Sequence, residues 1–297
     1  MGFLCKNLLY VYIILEYNIG YKMIILFYGK GIRMVDKVID IVREAGKMMN
    51  NRNFLVENKG SVSNLVTSVD VSVQAFLESR LLPLVEDSYF LGEETYNINK
   101  IEKDKPYQWI VDPIDGTSNF IRDLGASVIS VALVKEGEPV LGVIYNPYRD
   151  EMFYAEKGKG AYLNGKPIKV SGRSLETSLF CTSLSLYNKN LAKPCLNIME
   201  EVYKKCDDFR RIGSAALELA YLACGRIDLF FEIRLFPWDI AAGEIIVKEA
   251  GGYVGTIEFD TTVFYRPIPL ICANTRENYE FLRKVVEKEI PKIPYTD

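Results

Sequence analysis

The segment Trp109-Ile110-Val111-Asp112-Pro113-Ile114-Asp115-Gly116-Thr117-Ser118-Asn119-Phe120 gathers the residue types that could do chemistry. A short apolar strand delivers Asp112 at its carboxyl end, and Pro113 holds that residue extended. Asp115 follows three positions later, and Gly116-Thr117 reads as the opening of a helix. Strand carboxyl ends and helix N-termini are where α/β proteins collect anions, so two carboxylates in this setting point to a metal–phosphate site. An Asp-rich turn with Asp115 as a helix cap is the competing reading. Two further acids stand in similar surroundings. Glu93-Glu94 follows the apolar Tyr89-Phe90-Leu91, and Asp239 lies in Pro237-Trp238-Asp239 directly before an apolar run. Alone, Asp239 reads as an N-cap and Glu93 as a solvated loop charge. Together, Glu93, Asp112, Asp115 and Asp239 would make an all-oxygen cluster of the kind magnesium prefers. Each carboxylate–phosphate pair at ~4 Å repels by about 4 kcal/mol at an effective dielectric of about 20. Four acids therefore need divalent cations to hold a phosphate monoester, and such cations also generate hydroxide for in-line attack.

The rest of the composition narrows the chemistry further. The 297 residues include no histidine, which excludes Ser-His-Asp and Cys-His catalysis and His-ligated zinc. A net charge of −3 argues against nucleic acid as the main partner. Cysteines at positions 5, 181, 195, 206, 224 and 272 form no CxxC pair, a usage that fits a reducing cytoplasm.

These residues need elements to position them. The longest unbroken apolar run near the N-terminus, Leu8–Leu15, is far short of the ~20 residues of a membrane span. No alanine precedes Ala45, so a signal-peptidase site is missing. Met34 then opens an amphipathic helix, with Val35, Val38, Ile41, Val42, Ala45, Met48 and Met49 at helical spacing. Residues 1–33 are therefore expected to be an extension, or a start placed too early, and residues 34–297 the folded unit; a peripheral membrane anchor is the lesser reading of 1–33. A second helix is expected after Asp70, with Asp70 as its N-cap. Residues 127–134, 140–145, 151–155 and 168–170 read as strands of a meander. Beyond about residue 175, helices over 195–206, 214–224, 240–250 and 277–289 alternate with a strand at 229–232. Sheet first and α/β second suggests subdomains of about 34–175 and 176–297, with a site between them.

Glu93-Glu94, the run WIVDPIDGTSNF and the run PWDIAAGEIIVKEAGG together resemble the motifs of the inositol monophosphatase family, magnesium-dependent and lithium-sensitive phosphatases. The resemblance covers nearly everything from Met34 onward, including Leu65–Asp70 and Gly158–Gly165. It implies an α+β fold, the layered αβαβα sandwich of the inositol monophosphatase and fructose-1,6-bisphosphatase type, commonly dimeric. It further implies two to three Mg2+ ions per site, ligated by Glu93, Asp112, the carbonyl of Ile114, Asp115 and Asp239. Thr117, with Asp70 and Glu93, is implied to orient the attacking water, and Gly116 and Thr117 to cradle the phosphate. Gly213, Ser214, Ala215 and Glu232 match positions contacting the alcohol, although Ser214 also suits an N-cap. Lys59 matches a basic residue near the third metal position.

Arg234 departs from the animal inositol enzymes, which lack a basic residue there, and a guanidinium there could take a second phosphate; a surface salt bridge is the bland alternative. The implied activity is hydrolysis of a small phosphate monoester, myo-inositol 1-phosphate first, by metal-activated water in the cytoplasm. Broad activity on fructose 1,6-bisphosphate or NADP is the alternative, and a regulatory binding protein with a phosphatase fold is a further one. An Asp-x-Asp phosphatase with a phospho-aspartate intermediate does not fit, because these acids are three apart and a proline follows the first.

Overall fold

The computed structural model describes residues 8–15, 22–29, 33–61, 64–98, 102, 105–184, 188–257 and 262–290; side chains are described from residue 33 on, except at 58–61 and 64. Strands β1 (Leu8–Leu15) and β2 (Lys22–Gly29) form an antiparallel hairpin within the stretch expected to be an extension. Helix α1 (Met34–Met48) starts where the apolar periodicity starts and buries Val35, Val38, Val42 and Ala45. Strands β3 (Val56–Ser61) and β4 (Asn64–Thr67) form a second hairpin that leads into helix α2 (Ser68–Leu81).

The central sheet comprises β5 (Ser88–Gly92), β6 (Tyr107–Asp115), β7 (Val128–Lys135), β8 (Glu138–Asn146), β9 (Glu151–Glu156), β10 (Ala161–Leu163) and β11 (Lys166–Ile168). Helix α3 (Thr117–Ile121) sits between β6 and β7. The seven strands stand in sequence order, antiparallel except for the parallel pair β5–β6. The expected meander is therefore present, with β10 as an added strand and the strand expected at 168–170 shifted to 166–168.

The remaining elements are β12 (Leu179–Thr182), α4 (Ala192–Tyr203), β13 (Asp208–Arg210), α5 (Ala215–Ala223), β14 (Leu229–Leu235), α6 (Pro237–Glu249), β15 (Tyr253–Gly255), β16 (Ile268–Ala273) and α7 (Arg276–Glu289). Their five strands form a mixed sheet in the order β13-β12-β14-β16-β15.

Side-chain alternation builds the layers. In β6, Trp109 and Val111 pack with α1 and α2, whereas Ile110 joins the cluster that contains α5 and α6. In β16, Leu270 and Cys272 face that same central helix layer, while Ile271 and Ala273 pack with α4 and α7. The result is the expected αβαβα sandwich. Both sheets are covered on both faces, which is why their strands read as near-continuous apolar runs. The central layer is tight: a Cβ on Gly142 of β8 would lie 2.7 Å from the Ala242 carbonyl of α6. Among the described residues, no helix is long and apolar enough to cross a membrane.

Candidate metal–phosphate site

Asp112 and Asp115 stand three apart in β6, and strict alternation would send them to opposite faces of the sheet. A bulge prevents this. Asp112 pairs with Ser130 and Asp115 with Val128, so three steps on β6 span only two on β7. The extra residue returns Asp115 to the face of Asp112. Pro113, which has no N–H to give a ladder, occupies the bulge. The strand, expected from the sequence to end at Asp112, therefore continues to Asp115. Gly116 then turns the chain at φ +88° into α3. A Cβ there would meet the Ala126 and Gly213 carbonyls at 3.1 Å, so glycine serves both conformation and space.

Asp112, Asp115 and Asp239 each offer an oxygen within 4.8 Å of the others. Each is also held to the protein through a named oxygen. The Ile114 N–H donates to Asp112 Oδ1 at 2.9 Å. Ser214 Oγ and the Ala216 N–H both donate to Asp115 Oδ2 at 2.7 Å. The Phe236 N–H donates to Asp239 Oδ2 at 2.7 Å. Asp239 is thus the third residue of α6 rather than its N-cap, since Pro237, needing no donor at that position, opens the helix. The starts of α5 and α6 both point into this cluster, and their dipoles favour negative charge.

Burial raises the pKa of all three acids. For Asp112 the effect is large and is reinforced by Glu93, Asp115 and Asp239. Burial likewise drives Asp239 up, with Asp115 and Glu93 adding to it. Asp115 is raised by burial and partly relieved by the Ser214 and backbone donors. An acid cluster packed this closely fits a hard divalent cation: the donors are all oxygen, and outer hydrogen bonds already orient them.

Asp70 was expected to cap α2. Instead Thr67 is the cap, and Asp70 is the third helical residue of a capping box whose carboxylate accepts from the Thr67 N–H and hydroxyl. Asp70 is fully buried, and its Oδ1 lies 3.2 Å from Thr117 Oγ1. The same hydroxyl lies 3.1 Å from the Ile114 carbonyl. Glu93 opens a 3-10 turn, Glu93–Thr95, just after β5. Buried Gln74, one turn beyond Asp70, holds this turn by accepting from the Glu94 N–H and donating to Thr95 Oγ1.

Gly213, Ser214 and Ala215 lie at the start of α5 against Asp115. Ser214 is in the N-cap position, but its hydroxyl is spent on Asp115 and makes no cap bond. Glu232 in β14 accepts from Ser183, and burial pushes its pKa up to about 7. Arg234, two residues on, places its guanidinium 5.7 Å from the centre of the Phe236 ring, which stacks on Trp238 at 4.8 Å. Tyr96, just past Glu93, meets Trp238 edge-on at 5.0 Å and so ties the Glu93 turn to the start of α6. Lys59 lies in β3, and its side chain is outside the described residues. Sequence reasoning missed Gln74, Tyr96, Asn119, Ser183 and Glu218 as supports. Only Gln74, at helical spacing from Asp70, and Glu218, a lone acid in an apolar helix, carried a signal in the sequence.

The sequence model of the inositol monophosphatase family matches residues 30–290. The chain is 41% identical over 197 residues to the Nus factor SuhB of Escherichia coli, covering 66% of this chain and 73% of that one. It is 39% identical over 241 residues to inositol monophosphatase 3 of Solanum lycopersicum, covering 77% and 89%. Among solved structures it resembles the IMPase of Thermotoga maritima, with a TM-score of 0.74 and 34% identity over 86% of this chain and 96% of the other. The suhB protein of Bartonella henselae gives a TM-score of 0.78 at 33% identity, covering 86% and 98%.

Proposed function

The chain belongs to the inositol monophosphatase family and is a phosphatase, and on that premise we propose that it hydrolyses myo-inositol 1-phosphate to inositol and phosphate with the help of Mg2+. The observation that carries this reading is the Asp112–Asp115–Asp239 cluster beside the Thr117–Asp70 hydrogen bond. Glu93, Asp112, the Ile114 carbonyl, Asp115 and Asp239 would hold two to three Mg2+ ions, with Lys59 in the vicinity of the third. Bound Mg2+ neutralises phosphate charge and makes water acidic enough to attack at neutral pH.

The chain's own groups do the rest. Thr117 has one hydroxyl proton and two acceptors in reach, Asp70 Oδ1 and the Ile114 carbonyl. Given to Asp70, that proton leaves the Ile114 carbonyl for a cation and turns a Thr117 lone pair toward the attacking water. Asp70, held by Thr67, and Glu93 complete the orientation. Gly116 and Thr117 backbone N–H groups receive the phosphate, and Gly213, Ser214, Ala215 and Glu232 face the alcohol. In the alternative reading, Arg234 would provide a cation for a second phosphate and extend the substrate range to fructose 1,6-bisphosphate or NADP. The enzyme would work in the cytoplasm, as a homodimer.

Similarity to the E. coli Nus factor favours a second reading, in which the protein also acts as a regulatory partner. The deciding experiment is Mg2+-dependent phosphate release from the three substrates side by side, with and without lithium. Preference for inositol 1-phosphate with lithium inhibition is expected. No Mg2+-dependent release from any of them would overturn the reading and favour the regulatory role.

A further inference from the structure

We propose that Glu218 is a positioning residue for Asp115, acting through the backbone of residues 212–214. The proposal rests on the reading of Asp115 as a metal ligand. Glu218 is fully buried in α5, the one charged side chain in the run AALELAYLA. Its Oε1 accepts from the Ile212 N–H at 2.6 Å and the Gly213 N–H at 3.1 Å. Both donors precede the helix, so the bonds hold the approaching loop rather than complete the helix itself. From the other side, Asn119 Nδ2 donates to the Ile212 carbonyl at 2.8 Å and the Gly213 carbonyl at 3.3 Å. The loop is clamped through its N–H groups by one side chain and through its carbonyls by another.

The next residue is Ser214, whose hydroxyl joins the Ala216 N–H on Asp115 Oδ2. Asp115 therefore takes its orientation from a segment whose path Glu218 sets. This task needs an acceptor and not a charge. Glu218 Oε2 is buried with no hydrogen-bond partner among the described residues. Burial, with Glu232 and Asp115 nearby, also pushes the group's pKa up to about 8. A neutral side chain clamps the loop without adding negative charge beside a phosphate site.

The test is Mn2+ binding to the full chain, followed by electron paramagnetic resonance, together with thermal unfolding. Glu218→Leu, which fills the space without an acceptor, is expected to weaken Mn2+ binding about tenfold or more, in line with losses of outer-sphere supports. Glu218→Gln keeps the acceptor and should return the affinity to within about twofold of wild type. Asp115→Asn should lose at least one ion. A merely structural Glu218 would lower the unfolding temperature of the Leu variant and leave Mn2+ affinity untouched, and this result would overturn the proposal. So would equal losses in the Gln and Leu variants, because charge would then be what matters. Wild-type binding by Asp115→Asn is a separate result: it removes the ligand reading itself, and the proposal with it. If Glu218→Leu does not fold, Asn119→Leu, which removes the other half of the clamp, is read in the same way.

Discussion

Asp112→Asn should stabilise the metal-free protein while abolishing its turnover. The oxygens that Asp112, Asp115 and Asp239 offer lie within 4.8 Å of one another. Two ionised carboxylates at that distance repel by about 3.5 kcal/mol at an effective dielectric of about 20, and Asp112 faces two of them. Burial, with Glu93, Asp115 and Asp239 nearby, holds the Asp112 pKa well above the usual carboxylate range, so a charge at this position is disfavoured when no cation is bound. Removing that charge at alkaline pH should therefore gain roughly 1–3 kcal/mol. Asn keeps Oδ1 as acceptor for the Ile114 N–H, so the backbone bond survives.

The assay is urea and thermal unfolding in EDTA at pH 8, where each kcal/mol moves the midpoint by roughly 2–4 °C for a chain of this size. Adding Mg2+ should then reverse the order, because only the intact cluster gains binding energy in the folded state. A variant no more stable than wild type in EDTA would refute the claim that the cluster stores like-charge strain. Turnover above a few per cent of wild type would refute the ligand assignment.

Metal-free stability should fall as pH rises. Glu232 and Glu218 have folded pKa values near 7 and 8, above the 4.5 of the free side chain. The stability they contribute is full below about pH 4.5 and is lost as pH climbs through those values, since the unfolded chain releases its protons first. Urea midpoints in EDTA between pH 5 and 9 test this; a midpoint that rises across the window would contradict it. Thr117→Ala should lower kcat by about 10²-fold or more, with Mn2+ affinity within a few-fold of wild type, whereas Thr117→Ser restores the rate. An equal rate in Thr117→Ala would release the residue from its role. Arg234→Ala should cost more in kcat/KM on fructose 1,6-bisphosphate than on inositol 1-phosphate, and equal losses would rule out a second-phosphate contact. Gly142→Ala should destabilise the fold by about 1–3 kcal/mol, because its Cβ would press on the Ala242 carbonyl, which cannot move without α6. A neutral result by chemical unfolding would show that this helix layer gives way.

The acids that form the site were legible in the sequence, as single residues and as a joint all-oxygen cluster, and the device that joins them was not. Trp109–Val111 reads as a strand because three large apolar residues in a row suit a sheet buried on both faces. Nothing in that run says that a bulge will add a residue between Asp112 and Asp115. The bulge is a relation to β7, visible only when Ser130 and Val128 are found opposite the two acids. Only the cap readings of Asp70 and Asp239 failed, and for a more local reason. An Asp near a helix start suits both the cap and the third helical position, and the residues before it decide. Thr67 takes the cap at α2, and Pro237 opens α6, so each Asp moves inward and its carboxylate reaches back to the backbone.

That inward shift is what makes these acids useful. A capping carboxylate would spend itself on helix N–H groups at the surface. At the third position, Asp239 reaches back through Oδ2 to the Phe236 N–H while still joining the acid cluster, and Asp70 reaches back through Oδ2 to Thr67 while its Oδ1 stays on Thr117. Glu218 repeats the arrangement from α5, turning back onto residues 212 and 213. Three helices thus use an acid in the first turn or just beyond it to fasten the incoming chain, and in each case the fastened segment bears on the site. The local chemistry of helix starts and the geometry of the phosphate site are therefore solved by the same side chains. A sequence reading that assigns each acid to one or the other will miss half of what it does.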